Sequence, residues 1–247
     1  MDFLDFNDAI AKVQSYYNKG IGTYSEKLTH RVLKYYIQDD ESKHEIRAAG
    51  YVVDAVTDDG IIHEIQSKAF FRLRDKLTKL SSNHTVEVVL PITTSKEIVW
   101  ISPVSNEIVS VNKSSTHNKI QKLLVEMYGL RELLDNDKLI FRAILIEERE
   151  YKYLDGYGPN YKNKATKINK IPTKLIRDQR FTCRDDFREM VPFSCDTKFT
   201  SREFAKATKI SLDDARTSLL VLTELGIVSR IGKVGNNILY KLGGDIQ

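Results

Sequence analysis

The stretch YVVDAVTDDGIIHEIQSKAF, residues 51 to 70, decides how this chain is read. Two apolar runs flank Asp58-Asp59-Gly60, a hairpin turn signal. Each run carries one acid where a purely structural strand prefers Val or Ile: Asp54 in the first and Glu64 in the second. Strand side chains alternate between faces, so Val52, Asp54 and Val56 share one side, and Glu64, Gln66 and Lys68 share one side of a strand spanning 61–69. A hairpin in register about the turn sets Asp54 opposite Glu64. Adjacent carboxylates repel unless a cation lies between them. Two readings therefore stand side by side: a solvated hairpin with alternating acids, or a cation site whose oxygen donors suit Mg²⁺.

The flanking elements favour the second. A short amphipathic helix over the first nineteen residues turns Phe3, Phe6, Ile10 and Val13 to one side. Beyond Gly20 and Gly22, a helix over 23–37 has Leu28, Val32, Leu33 and Tyr36 as its apolar stripe, with Glu26 in its first turn, where a carboxylate suits the helix dipole. Strands follow at 44–50, 51–57 and 61–69. FFRLRDKLTKL (70–80) reads as a helix, and VEVVLPI (86–92) as a strand buried on both faces. The order is helix, three strands, helix, strand. It predicts an antiparallel meander joined to the last strand by a right-handed helical crossover.

This arrangement resembles the PD-(D/E)xK nuclease superfamily, the restriction-endonuclease-like fold, over about residues 20 to 92. The resemblance implies an α/β (α+β) core of αβββαβ order with added strands and helices, within a domain spanning 1–184. It implies that Asp54 and Glu64 bind Mg²⁺, with Mn²⁺ able to substitute, and that Glu26 assists. The superfamily's lysine, two residues after the third-strand Glu, falls on Gln66, so Gln66 or Lys68 is expected to position the attacking water. Val53 stands where many members have Pro. The implied activity is hydrolysis of DNA phosphodiester bonds by an endonuclease of restriction or phage-defence type. The alternative is a DNA-binding regulator or defence component whose core lost its chemistry with the lysine. His30 and His63 are read as solvent-facing or structural, and Glu45 as a lesser rival for the third carboxylate.

Later residues extend the core. KEIVWIS and EIVSVNK flank Pro103 to Asn106 as another hairpin, Lys119 to Leu134 is a helix, and LIFRAILIEEREYKYL is a long strand or strand pair. From Tyr157 to Arg184 there are eight Lys/Arg against one acid, Asp178, with Tyr and Asn interleaved. Such a segment, interrupted by Pro159 and Pro172, suits a phosphate backbone or is a solvated basic loop. Lys162, Lys164, Lys167 and Lys170 are its candidate contacts.

After an expected linker at 185–198, the grammar changes. Thr200 and Glu203 form a capping box ahead of one helix, and Ser211 and Asp214 repeat it ahead of a second, which Gly226 ends. A hairpin with a Gly-Asn-Asn tip follows. Residues 199–247 resemble the winged helix-turn-helix family. Arg216, Arg230 and Lys233 are its candidate nucleic-acid contacts, although Asp213 and Asp214 at the start of the second helix would face phosphates badly. Contact with DNA and contact with protein both stay open.

Composition sets the outer bounds. The 247 residues are 41% hydrophobic and 29% charged, with a net charge of +4, as in water-soluble globular chains. No apolar run reaches the roughly 20 residues that span a bilayer, so no membrane partner is expected. The acidic, amphipathic start lacks the form of a signal peptide. Cys183 and Cys195 have no metal-ligand spacing, and the expected location is the cytoplasm. Double-strand cutting would call for a homodimer.

Overall fold

The computed structural model describes residues 5–17, 28–156 and 165–243. The chain is of mixed α+β class. It forms a mixed seven-stranded sheet of order β1-β2-β3-β4-β6-β7, with β5 paired onto β4, and a separate three-stranded sheet of order β8-β10-β9. The large-sheet strands are β1 (His44–Ala48), β2 (Tyr51–Val56), β3 (Ile62–Ile65), β4 (Val86–Ile101), β5 (Ile108–Lys113), β6 (Leu139–Tyr153) and β7 (Thr166–Phe181). Two compact units divide the chain. The first holds Met1–His44, Thr93–His117 and Leu145–Arg177, and the second holds Glu45–Ile92, Asn118–Ile144 and Asp178–Gln247. Strands β4, β6 and β7 each give one part to either unit.

In the first unit, α1 (Phe6–Tyr17) packs on α2 (Leu28–Ile37). Phe6, Ala9, Ile10 and Val13 of α1 and Leu28, Val32 and Leu33 of α2 are buried, as their helical spacing predicts. Phe3 and the segment before Leu28, Glu26 included, lie outside the described residues. The expected hairpin of KEIVWIS with EIVSVNK is the antiparallel β4–β5 pair. Strand β4 is longer than expected, running unbroken from VEVVLPI through Pro91 to Ile101.

The second unit contains the helix-crossover core. Its β2–β3 hairpin is antiparallel, closed by Thr57 N donating to Ile61 O at 3.0 Å and Gly60 N donating to Thr57 O at 2.9 Å. Gly60 supplies the left-handed φ of 81° that this turn needs. Strand β3 then pairs in parallel with β4. A parallel partner requires a crossover, here a 3₁₀ turn (Phe70–Leu73) followed by α3 (Arg74–Ser81). The third strand therefore ends sooner than its alternation suggests. Gln66 N still bonds Val89 O at 2.9 Å, but Ala69 is left-handed, its N–H is held by Glu126 Oε2 at 2.6 Å, and the fully buried Phe70 anchors the turn. Leu77 and Leu80 of α3 are buried.

The basic segment is not a loop where it is described. Residues 166–181 form β7 at the end of the sheet order, where Pro172 costs little because a terminal strand needs fewer N–H donors. The expected linker is packed as well. Residues 184–190 form a 3₁₀ turn that buries Phe187 and Met190, with Phe187 stacked on Phe181 at 4.5 Å, and Phe193 stacks on Phe199 at 4.3 Å.

At the C-terminal end, β8 (Lys198–Thr200) leads into α5 (Ser201–Thr208), α6 (Leu212–Glu224), β9 (Val228–Val234) and β10 (Asn237–Leu242). The Thr200–Glu203 capping box forms, and at the second helix the Ser211 cap forms with a single bond. Thr200 N donates to Glu203 Oε2 at 2.7 Å and Glu203 N to Thr200 Oγ1 at 3.4 Å, while Asp214 N donates to Ser211 Oγ at 3.0 Å. Helix α6 packs on both α5 and α4 (Lys122–Met127), which continues as a 3₁₀ turn, Tyr128–Leu133. That turn passes so close to the Phe70–Leu73 turn that a Cβ on Gly129 would lie 2.8 Å from Phe71 N. Replacement of Gly129 by Ala should therefore destabilise the protein by about 1–3 kcal/mol in chemical denaturation, the usual cost of forcing backbones apart in a packed site; an unchanged midpoint would show that the approach is relieved cheaply.

Candidate active site

The β2–β3 ladder pairs Val56 with Ile62 and Ala55 with His63. One more step in that register sets Asp54 opposite Glu64. There the ladder is replaced by a side chain: Asp54 Oδ2 accepts a hydrogen bond from Ile65 N at 2.7 Å. The carboxylate takes the place a β2 carbonyl would fill. Asp54 is half-buried and Glu64 is buried at 4% exposure. A carboxylate so enclosed needs a cation. Lys76 of α3 provides it, with Nζ 2.6 Å from Glu64 Oε1 and donating to Val52 O at 2.6 Å.

Lys76 escaped the sequence reading, though a signal was present. It lies three residues after Leu73 and four before Leu80, on the apolar stripe of its helix. A charge on that stripe must find a buried partner. The other expected residues are less closely gathered. Gln66 is half-buried just beyond β3, and Lys68 is exposed in a bend, so the alternation argument does not extend to it. Glu45 is exposed on β1 with a left-handed φ of 52°. Among the described residues no group of three or more His, Cys, Asp or Glu is placed to hold a metal.

The opposite side of β3 carries a second polar cluster. His63 is 2% exposed, so it is structural and not solvent-facing. Its Nδ1 lies 2.9 Å from Glu87 Oε2, and its Nε2 lies 3.1 Å from Thr57 Oγ1. Glu87 is fully buried and also meets Arg180 Nε at 2.5 Å and Arg142 NH1 at 3.4 Å. Arg142 in turn is held by both oxygens of Asp178, at 2.8 and 2.5 Å. Burial by itself would raise the Glu87 pKa. The His63 hydrogen bond and the charges of Arg142, His63 and Arg180 outweigh it and hold the pKa at about 2, below the usual 4.5.

The first unit repeats this device on β6. Glu148 accepts from Thr29 Oγ1 at 2.8 Å, Lys170 Nζ at 2.8 Å and the Thr93 hydroxyl. Glu150 is met by Lys96 Nζ at 2.8 Å, Lys167 Nζ at 3.2 Å and Lys152 Nζ at 3.6 Å. Burial again opposes ionisation, and the hydrogen bonds of Lys96 and Lys167 with the charges of Lys96 and Lys152 bring Glu150 to about 2. Two of the lysines expected on phosphate, Lys167 and Lys170, thus have acids of their own; Lys162 and Lys164 lie outside the described residues. Arg216 is exposed and pairs with Asp213 at 3.0 Å, while Arg230 and Lys233 stand exposed on β9.

Residues 27–182, most of the chain and all strands of the large sheet, match the family model described as Domain of unknown function (DUF8091). The chain belongs to that family. The C-terminal residues, with α5, α6 and the small sheet, lie beyond the match. An uncharacterized protein of Treponema pallidum (strain Nichols) is 30% identical over 159 residues, 64% of this chain, and the match spans 62% of that relative's length. No solved structure matches. Within the family segment, Asp54, Glu64 and Lys76 and both buried acid clusters all fall inside the matched residues.

The clusters set the acid sensitivity of the fold. Glu87 and Glu150 have folded pKa values depressed to about 2 from 4.5, so their contribution is complete above the unfolded value and is lost as pH falls through 4.5 towards 2. Urea unfolding across that window should show stability declining steadily, and Glu87→Gln should be less stable at neutral pH and flatten the acid limb. A mutant curve parallel to the wild type over the whole window would contradict the assignment.

Proposed function

We propose that this chain is a metal-dependent nuclease whose site is built on Asp54, Glu64 and Lys76. The observation that carries the proposal is that the β2–β3 register sets Asp54 and Glu64 on facing positions of adjacent strands, with Glu64 paired to Lys76, where the ladder gives way to the Asp54–Ile65 bond. The donor set fits Mg²⁺, which takes one or two carboxylates and keeps several waters, and Mn²⁺ by the same chemistry. Asp54 and Glu64 would hold the ion, which when bound lowers the pKa of a water and offsets charge on a phosphate. Lys76 would supply the positive charge that Gln66 lacks, and its ion pair fixes Glu64. Gln66 and Lys68, which follow β3 in the chain, are the groups proposed to orient a substrate phosphate. Glu26 is retained as an assisting carboxylate.

DNA is the proposed substrate. The β8-α5-α6-β9-β10 part follows winged helix-turn-helix order, with the exposed Arg230 and Lys233 on the hairpin and Arg216 on α6 as its contacts. Cleavage in the manner of restriction or phage-defence enzymes, in the cytoplasm, completes the reading. Among the described residues no helix is long and apolar enough to cross a membrane.

A second reading, a DNA-binding protein with an inactive core, is favoured by one observation: both carboxylates already have donors within the chain, Ile65 N and Lys76 Nζ. The two are separated by experiment. Asp54→Ala should abolish Mg²⁺-dependent nicking of plasmid DNA while leaving DNA binding intact or tighter, and equal cleavage by the variant would sink the assignment. Lys76→Met should lower the cleavage rate by about 10²- to 10³-fold, the usual loss of one preorganised charge. Salt-sensitive binding with no nicking by the wild type, in either Mg²⁺ or Mn²⁺, selects the second reading.

A further inference from the structure

The ends of the large sheet are treated differently. Strand β7 carries Pro172 and a run of Lys and Arg, and Thr29 of α2 reaches its Lys170 carbonyl at 3.4 Å. Proline, charge and cover of this kind keep a terminal strand from pairing with another chain. Strand β5, IVSVNK, has none of them along its apolar part. Among the described residues β4 is its one partner strand. All six of its residues are exposed, with Ile108 at 63%, Val109 at 56% and Val111 at 52%. Its register with β4 sets Trp100 opposite Ser110 and Ile101 opposite Ile108, so Val109 has no opposite residue on β4.

What would cover this edge is written in its own sequence. The stretch Glu107-Ile108-Val109-Ser110-Val111-Asn112-Lys113 is nearly symmetric about Ser110. In an antiparallel pair of two copies with Ser110 on the twofold axis, Val109 of each copy faces Val111 of the other. Glu107 of each likewise faces Lys113 of the other. Residues directly opposite in an antiparallel pair are the ones that interact, and both apolar and opposite-charge pairs are favourable there. No other register centred within β5 brings both sets into place: an axis at Val109 or Val111 leaves Lys113 facing Ser105 or Val109.

We propose that β5 is a dimerisation edge, and that two copies of this chain join their large sheets by antiparallel β5–β5 pairing centred on Ser110. The interface is isologous, so it closes at two copies and does not propagate. A single six-residue ladder is smaller than the roughly 800 Å² per partner of a standard interface, so the dimer is a micromolar one. The inference is independent of catalysis.

The test uses the full chain in sedimentation velocity at about 100 µM, a concentration suited to an interface of this size. The wild type should sediment as a dimer. Glu107→Lys and Lys113→Glu each turn two symmetry-related attractions into repulsions, and each should weaken dimerisation about 30-fold or more. The double variant E107K/K113E restores opposite charges across the axis and should dimerise like the wild type. Both positions are exposed, and because Lys113 also lies opposite Glu97 in the hairpin, thermal melting of each variant shows that the fold is retained. A monomeric wild type, or assemblies larger than two, would overturn the proposal. So would a dimer indifferent to both single reversals, which would place the interface elsewhere, or a double variant that stays monomeric, which would reject the register.

Discussion

A four-residue strand buried on both faces carries two ionisable side chains, and much of the second unit is arranged to compensate them. Burying either group without a partner would cost several kcal/mol. His63 and Glu64 point to opposite sides of β3 because successive strand residues alternate. On one side, His63 meets Glu87, whose charge draws in Arg142 and Arg180, and Arg142 is then held by Asp178. The cluster therefore extends along the sheet order from β3 through β4 and β6 to β7. On the other side, Glu64 fixes Lys76 and so the face that α3 presents. Removing one partner from such a set leaves a buried charge uncompensated, which is far more damaging than never having placed the pair.

The same logic governs the first unit, where basic groups again outnumber the acids they serve. Around Glu87 two arginines and a histidine serve one acid, with Asp178 returning part of the balance; on β6, Glu148 and Glu150 are served by Lys96, Lys152, Lys167 and Lys170 with two threonine hydroxyls. Buried acids of this kind make the basic segment look freer in sequence than it is in the fold. A count of Lys and Arg along residues 157–184 measures composition. It does not measure how many of those charges face solvent, because Lys167 and Lys170 find their acids on β6 and Arg180 finds its acid on β4.

That distinction explains what could be read beforehand. Elements defined by local rules were legible: the apolar stripes of α1 and α2, the Asp58-Asp59-Gly60 turn, the β4–β5 hairpin, and the caps at Thr200 and Ser211. The register about the turn, with Ala55 opposite His63 and Val56 opposite Ile62, was legible too, since register about a tight turn is fixed by counting. Elements defined by distant partners were not. The third strand ends at Ile65 because a parallel neighbour demands a crossover, and nothing within 61–69 announces that demand. The 185–198 segment packs because Phe187 and Phe193 find rings at Phe181 and Phe199. Lys76 was overlooked because a lysine in a helix is ordinarily a solvated one.

Lys76 also bears on the proposed nuclease reading, under which a lysine would be expected at position 66. A strand residue at 66 reaches the acids from the end of β3, whereas Lys76 reaches Glu64 from the helix that follows, at 2.6 Å. The charge is the same and the scaffold is different. A lysine on a strand end is as mobile as the turn beyond it, and here that turn begins at once, with Ser67 and Lys68 in a bend. A lysine on α3 is held by the burial of Leu77 and Leu80, one and four residues further along the helix, and by its second bond to Val52 O. Preorganisation of a charge depends on the rigidity of the element that bears it. Under the proposed reading, Gln66 is thus not by itself a loss of positive charge beside Glu64; the source of that charge would lie on the helix and not on the strand.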